Sequence, residues 1–159
     1  MRGTTTATDP DLGELYRRES ARLWRAVFAY TQDRGIADDA VAEAFAQCLR
    51  RGSAIRDPNA WVWRAAFRLA ARELRDRRNV GPLVDTPVLD PLEEEPGRLL
   101  RGLRALPGNQ RATLILRFYA GYGTDDIARM LGMSRATVRV HISRGRKRLR
   151  RELQEEVEG

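Results

Sequence analysis

The chain has 159 residues, 29 basic against 22 acidic side chains and a net charge of +7, a length that admits one domain or two small ones. Its single cysteine, Cys48, excludes an intrachain disulfide, and with His141 as the one histidine there is no cluster to hold zinc. No apolar run approaches the roughly 20 residues of a membrane span and the Thr-rich start lacks a signal-peptide core, so a cytoplasmic protein without membrane insertion is expected.

Residues 1–9 read as a polar, frayed start. Leu12, Leu15, Leu23, Val27 and Tyr30 then predict a helix over 10–30, broken by Gln32 to Gly35. Ala40, Val41, Ala44, Phe45, Cys48 and Leu49 form a broad apolar stripe on a second helix, 37–51, which Gly52 ends. Cys48 lies inside that stripe and reads as a small buried hydrophobe. A third helix is predicted over 59–78. It carries two apolar lines: Trp61, Ala65 and Leu69 on one, and Trp63, Phe67, Ala70 and Leu74 on the other. Trp61 is assigned to the core, whereas Trp63 fits either the core or a stacking platform.

Residues 79–96 break this pattern. They hold four prolines, five acids and no basic residue, which predicts an extended tether. Residues 1–78 sum to +4 and residues 97–159 to +8, so the basic charge is densest in the C-terminal third. Helices resume over 98–106 and 109–120, and no period-two strand pattern appears. The expected fold is all-α, with two small helical domains, 10–78 and 97–153, joined by a flexible acidic, Pro-rich linker, 79–96.

The segment TDDIARMLGMSRATVRVHISRGRKR, residues 124–148, has the form of a helix-turn-helix. Asp125 and Asp126 suit the positive end of a first helix, whose apolar stripe is Ile127, Ala128 and Leu131. Gly132 suits a left-handed stop and Ser134 an N-cap for the second helix. Val138, Ile142, Gly145 and Leu149 share one buried face of that helix. Arg135, Ala136, Thr137, Arg139 and Val140 are then offered to a DNA groove, where arginine forks onto guanine and Thr or Ala meets a thymine methyl. The later cluster from Arg144 to Arg151 suits phosphates, which position without specifying. His141 flanks this side as a solvated side chain. A solvated basic helix in a plain bundle is the bland alternative.

Taken together, the two halves resemble a known family. The segment LRALPGNQRATLILRFYAGYGTDDIARMLGMSRATVRVHISRGRKRLRREL is similar to region 4 of bacterial RNA polymerase sigma factors. IADDAVAEAFAQCLRR and PNAWVWRAAFRLAARELRDRR resemble region 2. Two such regions with only a short linker between them resemble the extracytoplasmic-function (ECF) group of the sigma-70 family. The resemblance implies a promoter-specificity subunit with no cofactor and no covalent chemistry of its own. Asp38, Asp39, Glu43, Phe45 and Gln47 would bind core RNA polymerase at the β′ coiled-coil, with a further contact to the β flap. Asn59, Trp63, Arg64 and Arg68 would open the −10 element of promoter DNA. Arg135, Ala136, Thr137, Arg139 and Val140 would read the −35 element, with Arg144, Arg146 and Lys147 on its backbone.

Three departures from the family pattern stand out. Ala42 replaces a frequent glutamine, Arg68 and Arg72 replace a more usual Asn and Asp, and Gly123 replaces a frequent serine N-cap, leaving Asp126 to support that helix start. The resemblance also implies an anti-sigma factor as regulator, which fits the expectation that this chain has no sensory domain of its own. Two other readings compete: a stand-alone helix-turn-helix regulator, and a sigma mimic that titrates an anti-sigma factor. An enzyme is not expected, since no phosphate loop, metal cluster or activated nucleophile is present.

Overall fold

In the computed structural model the backbone is described for residues 3–79 and 97–158. The chain divides into two compact units, Met1–Asp85 and Thr86–Gly159. All regular elements among the described residues are helical, in line with the all-α expectation. The predicted tether lies outside the described residues, except for Asn79 at the end of a helix. No described helix is long and apolar enough to cross a membrane.

The first unit is a three-helix assembly of α1 (Gly3–Thr31), α2 (Arg34–Arg51) and α3 (Pro58–Asn79). α1 begins upstream of the expected start at Pro10. Pro10 removes one backbone donor within it, and residues 3–9 add no apolar stripe, so the periodicity begins only at Leu12. Leu23, Ala26, Val27 and Tyr30 follow the i, i+3, i+4, i+7 rule and are all buried. α1 stops at Gln32, a non-glycine residue at φ 58°, whose amide donates to the Phe28 carbonyl at 2.6 Å. Asp33 then N-caps α2, its Oδ1 accepting from the Ile36 amide at 2.9 Å. The other carboxylate oxygen meets the Arg77 guanidinium, tying the end of α3 to this corner.

Cys48 is buried in α2, as its stripe predicts, and burial pushes its thiol pKa up. Gly52 ends α2 at φ 56°, ψ −132°, a conformation open to glycine and strained for other residues. A single 3₁₀ turn, Gly52–Ala54, leads towards α3.

The second unit contains α4 (Arg98–Arg104), α5 (Gly108–Leu114), α6 (Thr124–Leu131) and α7 (Arg135–Glu158). The helix expected over 109–120 changes pitch: after Leu114 a π-turn covers Ile115–Tyr119, and the Ala120 amide donates to the Ile115 carbonyl at 3.0 Å. Buried Arg111 closes the C-terminal end of α4. Its Nη1 donates to the carbonyls of Leu103, Arg104 and Leu106 at 3.4, 3.3 and 3.0 Å, at and just beyond the helix end, where the Leu103 carbonyl also accepts from the Leu106 amide. α7 crosses its neighbours at glycines. A Cβ on Gly145 would come within 3.2 Å of Leu114, and one on Gly102 within 2.9 Å of Leu149.

Candidate nucleic-acid interface

The turn between α6 and α7 follows from three residues. Gly132 adopts φ 67°, ψ 40°, and the next amide, Met133, donates back to the Ala128 carbonyl at 3.0 Å. This six-to-one closure ends α6. Ser134 Oγ accepts from the Thr137 amide at 3.1 Å and so caps α7. At the start of α6, Gly123 makes no side-chain cap bond, and Asp126, in the first turn with Asp125, pairs with Arg129. The i, i+3 pairing offers Asp126 a charged partner, whereas the expected cap offers only a neutral amide.

Val138 is fully buried and locks α7 onto the domain, while Arg135, Ala136, Thr137, Arg139 and Val140 around it are exposed. One face of the helix is therefore spent on packing, and the neighbouring face carries two guanidiniums, a hydroxyl and small apolar groups. Arg135 also lies 3.4 Å from Asp125 of α6. Arg144, Arg146 and Lys147 continue the exposed basic side. Arg146, however, lies over the Phe118 ring, its guanidinium 5.4 Å from the ring centroid. His141 is half-buried, with Nδ1 enclosed and unpartnered among the described residues, so it is less solvated than expected.

In the first unit Trp63 takes the core place, one of the two left open for it, and Trp61 departs from its core assignment. Trp63 is 0 % exposed. Its Nε1 donates to buried Glu19 at 3.4 Å, and its ring stacks on Phe67 at 6.3 Å. It is a core residue and cannot act as a stacking platform in this fold. Trp61, assigned to the core from its periodicity, is half-exposed beneath the Arg51 guanidinium at 5.5 Å. α3 packs against both α1 and α2, and the line containing Trp63, Phe67 and Ala70 faces that junction. Of the other residues proposed for strand opening, Arg64 and Arg68 are exposed. Asn59 is half-buried, with its Oδ1 enclosed and unpartnered among the described residues. It lines a cavity of about 520 Å³ with Arg18, Gly52, Ser53 and Arg56.

On α2, Asp39, Glu43 and Gln47 recur every four residues, giving one polar face. Asp39 and Glu43 are exposed. Glu43 Oε1 accepts from Gln47 at 3.1 Å and from Arg50 at 2.9 Å, and these two bonds hold its pKa below the usual carboxylate range. Asp38 is exposed and accepts from Trp24 Nε1 of α1 at 2.7 Å. Phe45 is buried, packed edge-to-face on Tyr16 at 5.0 Å. It supports the face from behind and does not present a contact group. The Trp24–Asp38 bond escaped the sequence reading because nothing local links residues fourteen apart.

Residues 97–149 match the sigma-70 region 4 family. The chain is 31% identical over 146 residues to the ECF RNA polymerase sigma factor SigM of Mycobacterium tuberculosis, a match covering 87% of this chain and 74% of that protein. It is 29% identical over 167 residues to SigL of the same organism, covering 96% of this chain and 94% of SigL. In fold it is similar to the sigma factor RpoE of Bartonella quintana, solved with the anti-sigma factor NepR. That match has a TM-score of 0.78 at 19% identity and covers 91% of this chain and 97% of the other. A capped helix-turn-helix inside a region 4 match, with sequence similarity running through both units, leads to one assignment: the chain belongs to the ECF sigma factors, and is a sigma subunit of RNA polymerase.

Proposed function

We propose that the two units divide promoter recognition between them. The exposed acids of α2, chiefly Asp39 and Glu43, dock on the β′ coiled-coil of core polymerase, with Gln47 beside them and Asp38 and Phe45 holding the face in place. The loop after α2 and the start of α3 open the −10 element, using Asn59, Arg64 and Arg68 along the displaced strand. Trp63 acts from the core, as the support on which Arg64 and Arg68 stand. α7 enters the major groove of the −35 element, where Arg135, Ala136, Thr137, Arg139 and Val140 meet base edges and Arg144, Arg146 and Lys147 meet phosphates. The β flap is the second polymerase contact, made by the C-terminal unit. Domain limits of 10–78 and 97–153 fit this division.

The observation that carries the proposal is the start of α7. A capped helix is anchored by one fully buried valine and shows Arg135, Thr137 and Arg139 to solvent. Tethering the two units lets two modest DNA affinities combine through effective concentration. With about five phosphates neutralised, the logarithm of the duplex affinity falls with a slope of roughly −5 against the logarithm of salt. The implied regulator is an anti-sigma factor that covers these faces. Likeness in fold to RpoE, solved with NepR, supports that reading.

The test is binding of labelled full-length protein to core polymerase, read by fluorescence anisotropy in competition with a housekeeping sigma factor. Tight, competitive binding is expected. No binding by a folded protein that still binds DNA would favour a stand-alone regulator.

A further inference from the structure

The first turn of α6 carries two exposed carboxylates, and they are engaged differently. Asp126 pairs within its own helix, with Arg129 three residues on. Asp125 reaches across the turn instead. Its Oδ1 accepts from Arg135 Nη1 at 3.4 Å, and Arg135 is the first residue of α7. The pair is ten residues apart in sequence, joined through the left-handed turn at Gly132 and the Ser134 cap. Thr137 is held as well, its hydroxyl 2.8 Å from Ser134 Oγ. Arg139, one turn further along, has no side-chain partner among the described residues. The exposed start of α7 therefore presents one arginine with a carboxylate partner from the same domain and one without.

We propose that Asp125 is a positioning residue that sets how sharply Arg135 discriminates between base pairs. This rests on the reading of α7 as the helix that enters the −35 duplex. An arginine at the edge of a groove can reach phosphates, which carry no sequence information, or base edges, which do. Its guanidinium holds five N–H donors in one plane. Asp125 engages Nη1, which orients that plane and leaves the other donors to fork onto a guanine edge. The same carboxylate repels phosphates, so it biases Arg135 away from the strand backbone. The two side chains are 61% and 65% exposed, and an exposed pair is weak, so Asp125 biases Arg135 without locking it. The result is an exchange: affinity for duplex of any sequence falls, and the gap between right and wrong base pairs widens. Asp126 bears the same charge one residue away but makes no contact with Arg135 among the described residues, which makes it the natural comparison.

The test uses the full chain assembled with core polymerase. The wild-type holoenzyme first selects from a duplex library randomised upstream of the start site. Asp125→Asn, Asp126→Asn and Arg135→Gln, and the Asp125→Asn, Arg135→Gln pair, are then compared on the selected duplex, on its single base-pair variants and on random-sequence duplex. Circular dichroism checks that each free variant keeps its helix content. Asp125→Asn is expected to raise affinity for random duplex about twofold to threefold. It should also reduce discrimination at one upstream base pair about fivefold. Asp126→Asn should share the first effect and not the second. Arg135→Gln should lose discrimination at that same base pair, and adding Asp125→Asn to it should cause no further loss there.

Discrimination unchanged in Asp125→Asn would overturn the proposal. So would an equal loss in Asp126→Asn, which would reduce Asp125 to its general field, or a further loss in the Arg135→Gln background, which would mean that Asp125 acts through another residue. A wild-type holoenzyme that enriches no upstream sequence would instead overturn the reading of α7 itself.

Discussion

α2 and α7 carry the two main proposed contact surfaces and prepare their side chains differently. On α2, Asp38 is bonded to Trp24, and Glu43 to Gln47 and Arg50, before any partner arrives. On α7, Arg139, Arg144 and Lys147 extend from an exposed face whose organisation comes from the backbone turn behind it. The α2 surface therefore loses little side-chain freedom on docking and depends on its shape being right. The α7 surface orders flexible arginines on contact, and draws its affinity from counterion release, which salt erodes. One unit should be sensitive to changes in its core, the other to changes in its charge.

The sharpest test of that contrast is Trp63→Ala. Emptying this core position should cost the first unit about 3–5 kcal/mol, read by urea denaturation, and leave the second unit unchanged. An unshifted midpoint would return Trp63 to the surface as a stacking platform. Next comes Asp39→Arg, which should weaken core-polymerase binding by about 2–4 kcal/mol, with duplex binding intact in an anisotropy assay. Loss of duplex binding instead would reverse the roles of the two units. Arg139→Ala should cost about 1–3 kcal/mol of −35 affinity and relax preference at one base pair. A uniform loss across all sequences would move Arg139 from base reading to phosphate contact.

The smallest effect is one of pH. The lowered pKa of Glu43 means that the fold favours its ionised form. Its contribution to stability is therefore present above the ordinary carboxylate range and is lost as pH falls towards the folded-state value. Glu43→Gln should flatten that acid limb in a pH series of denaturation curves, and an unchanged limb would show that the Gln47 and Arg50 bonds do not persist in solution.

Much of the second unit was legible because its rules are local. Gly132, Ser134 and Val138 lie within seven residues and define the stop, the cap and the buried face through backbone sterics and helical period alone. In α3 the same period placed Trp61 and Trp63 on separate lines, but the choice of line depends on how α1 and α2 meet, which no local pattern encodes. Phe118 was hidden for a related reason: residues 109–120 read as one α-helix, and the π-turn that carries the ring outward has no residue signature there. Arg111 gave no signal either, because an arginine in a helical pattern ordinarily reads as solvated, and only the fold brings three carbonyls around it. The side chains proposed to touch partners were named from resemblance and patterning, and the fold then separated those that reach solvent from those, Trp63 and Phe45, that hold the others in place.

α7 is one uninterrupted helix of 24 residues, about 36 Å long at the usual rise, with the residues proposed to read DNA at its start and packing residues, Gly145 among them, further along. A rigid rod has a single rotational phase. One residue inserted between Val140 and Gly145 would turn the reading face by about 100° relative to the packing face. Lineages that alter what this helix recognises can therefore exchange side chains at Arg135 to Val140 but cannot change the count of residues behind them. If α7 reads the promoter as proposed, new preferences are reachable by substitution, while insertions and deletions in this interval would silence the unit.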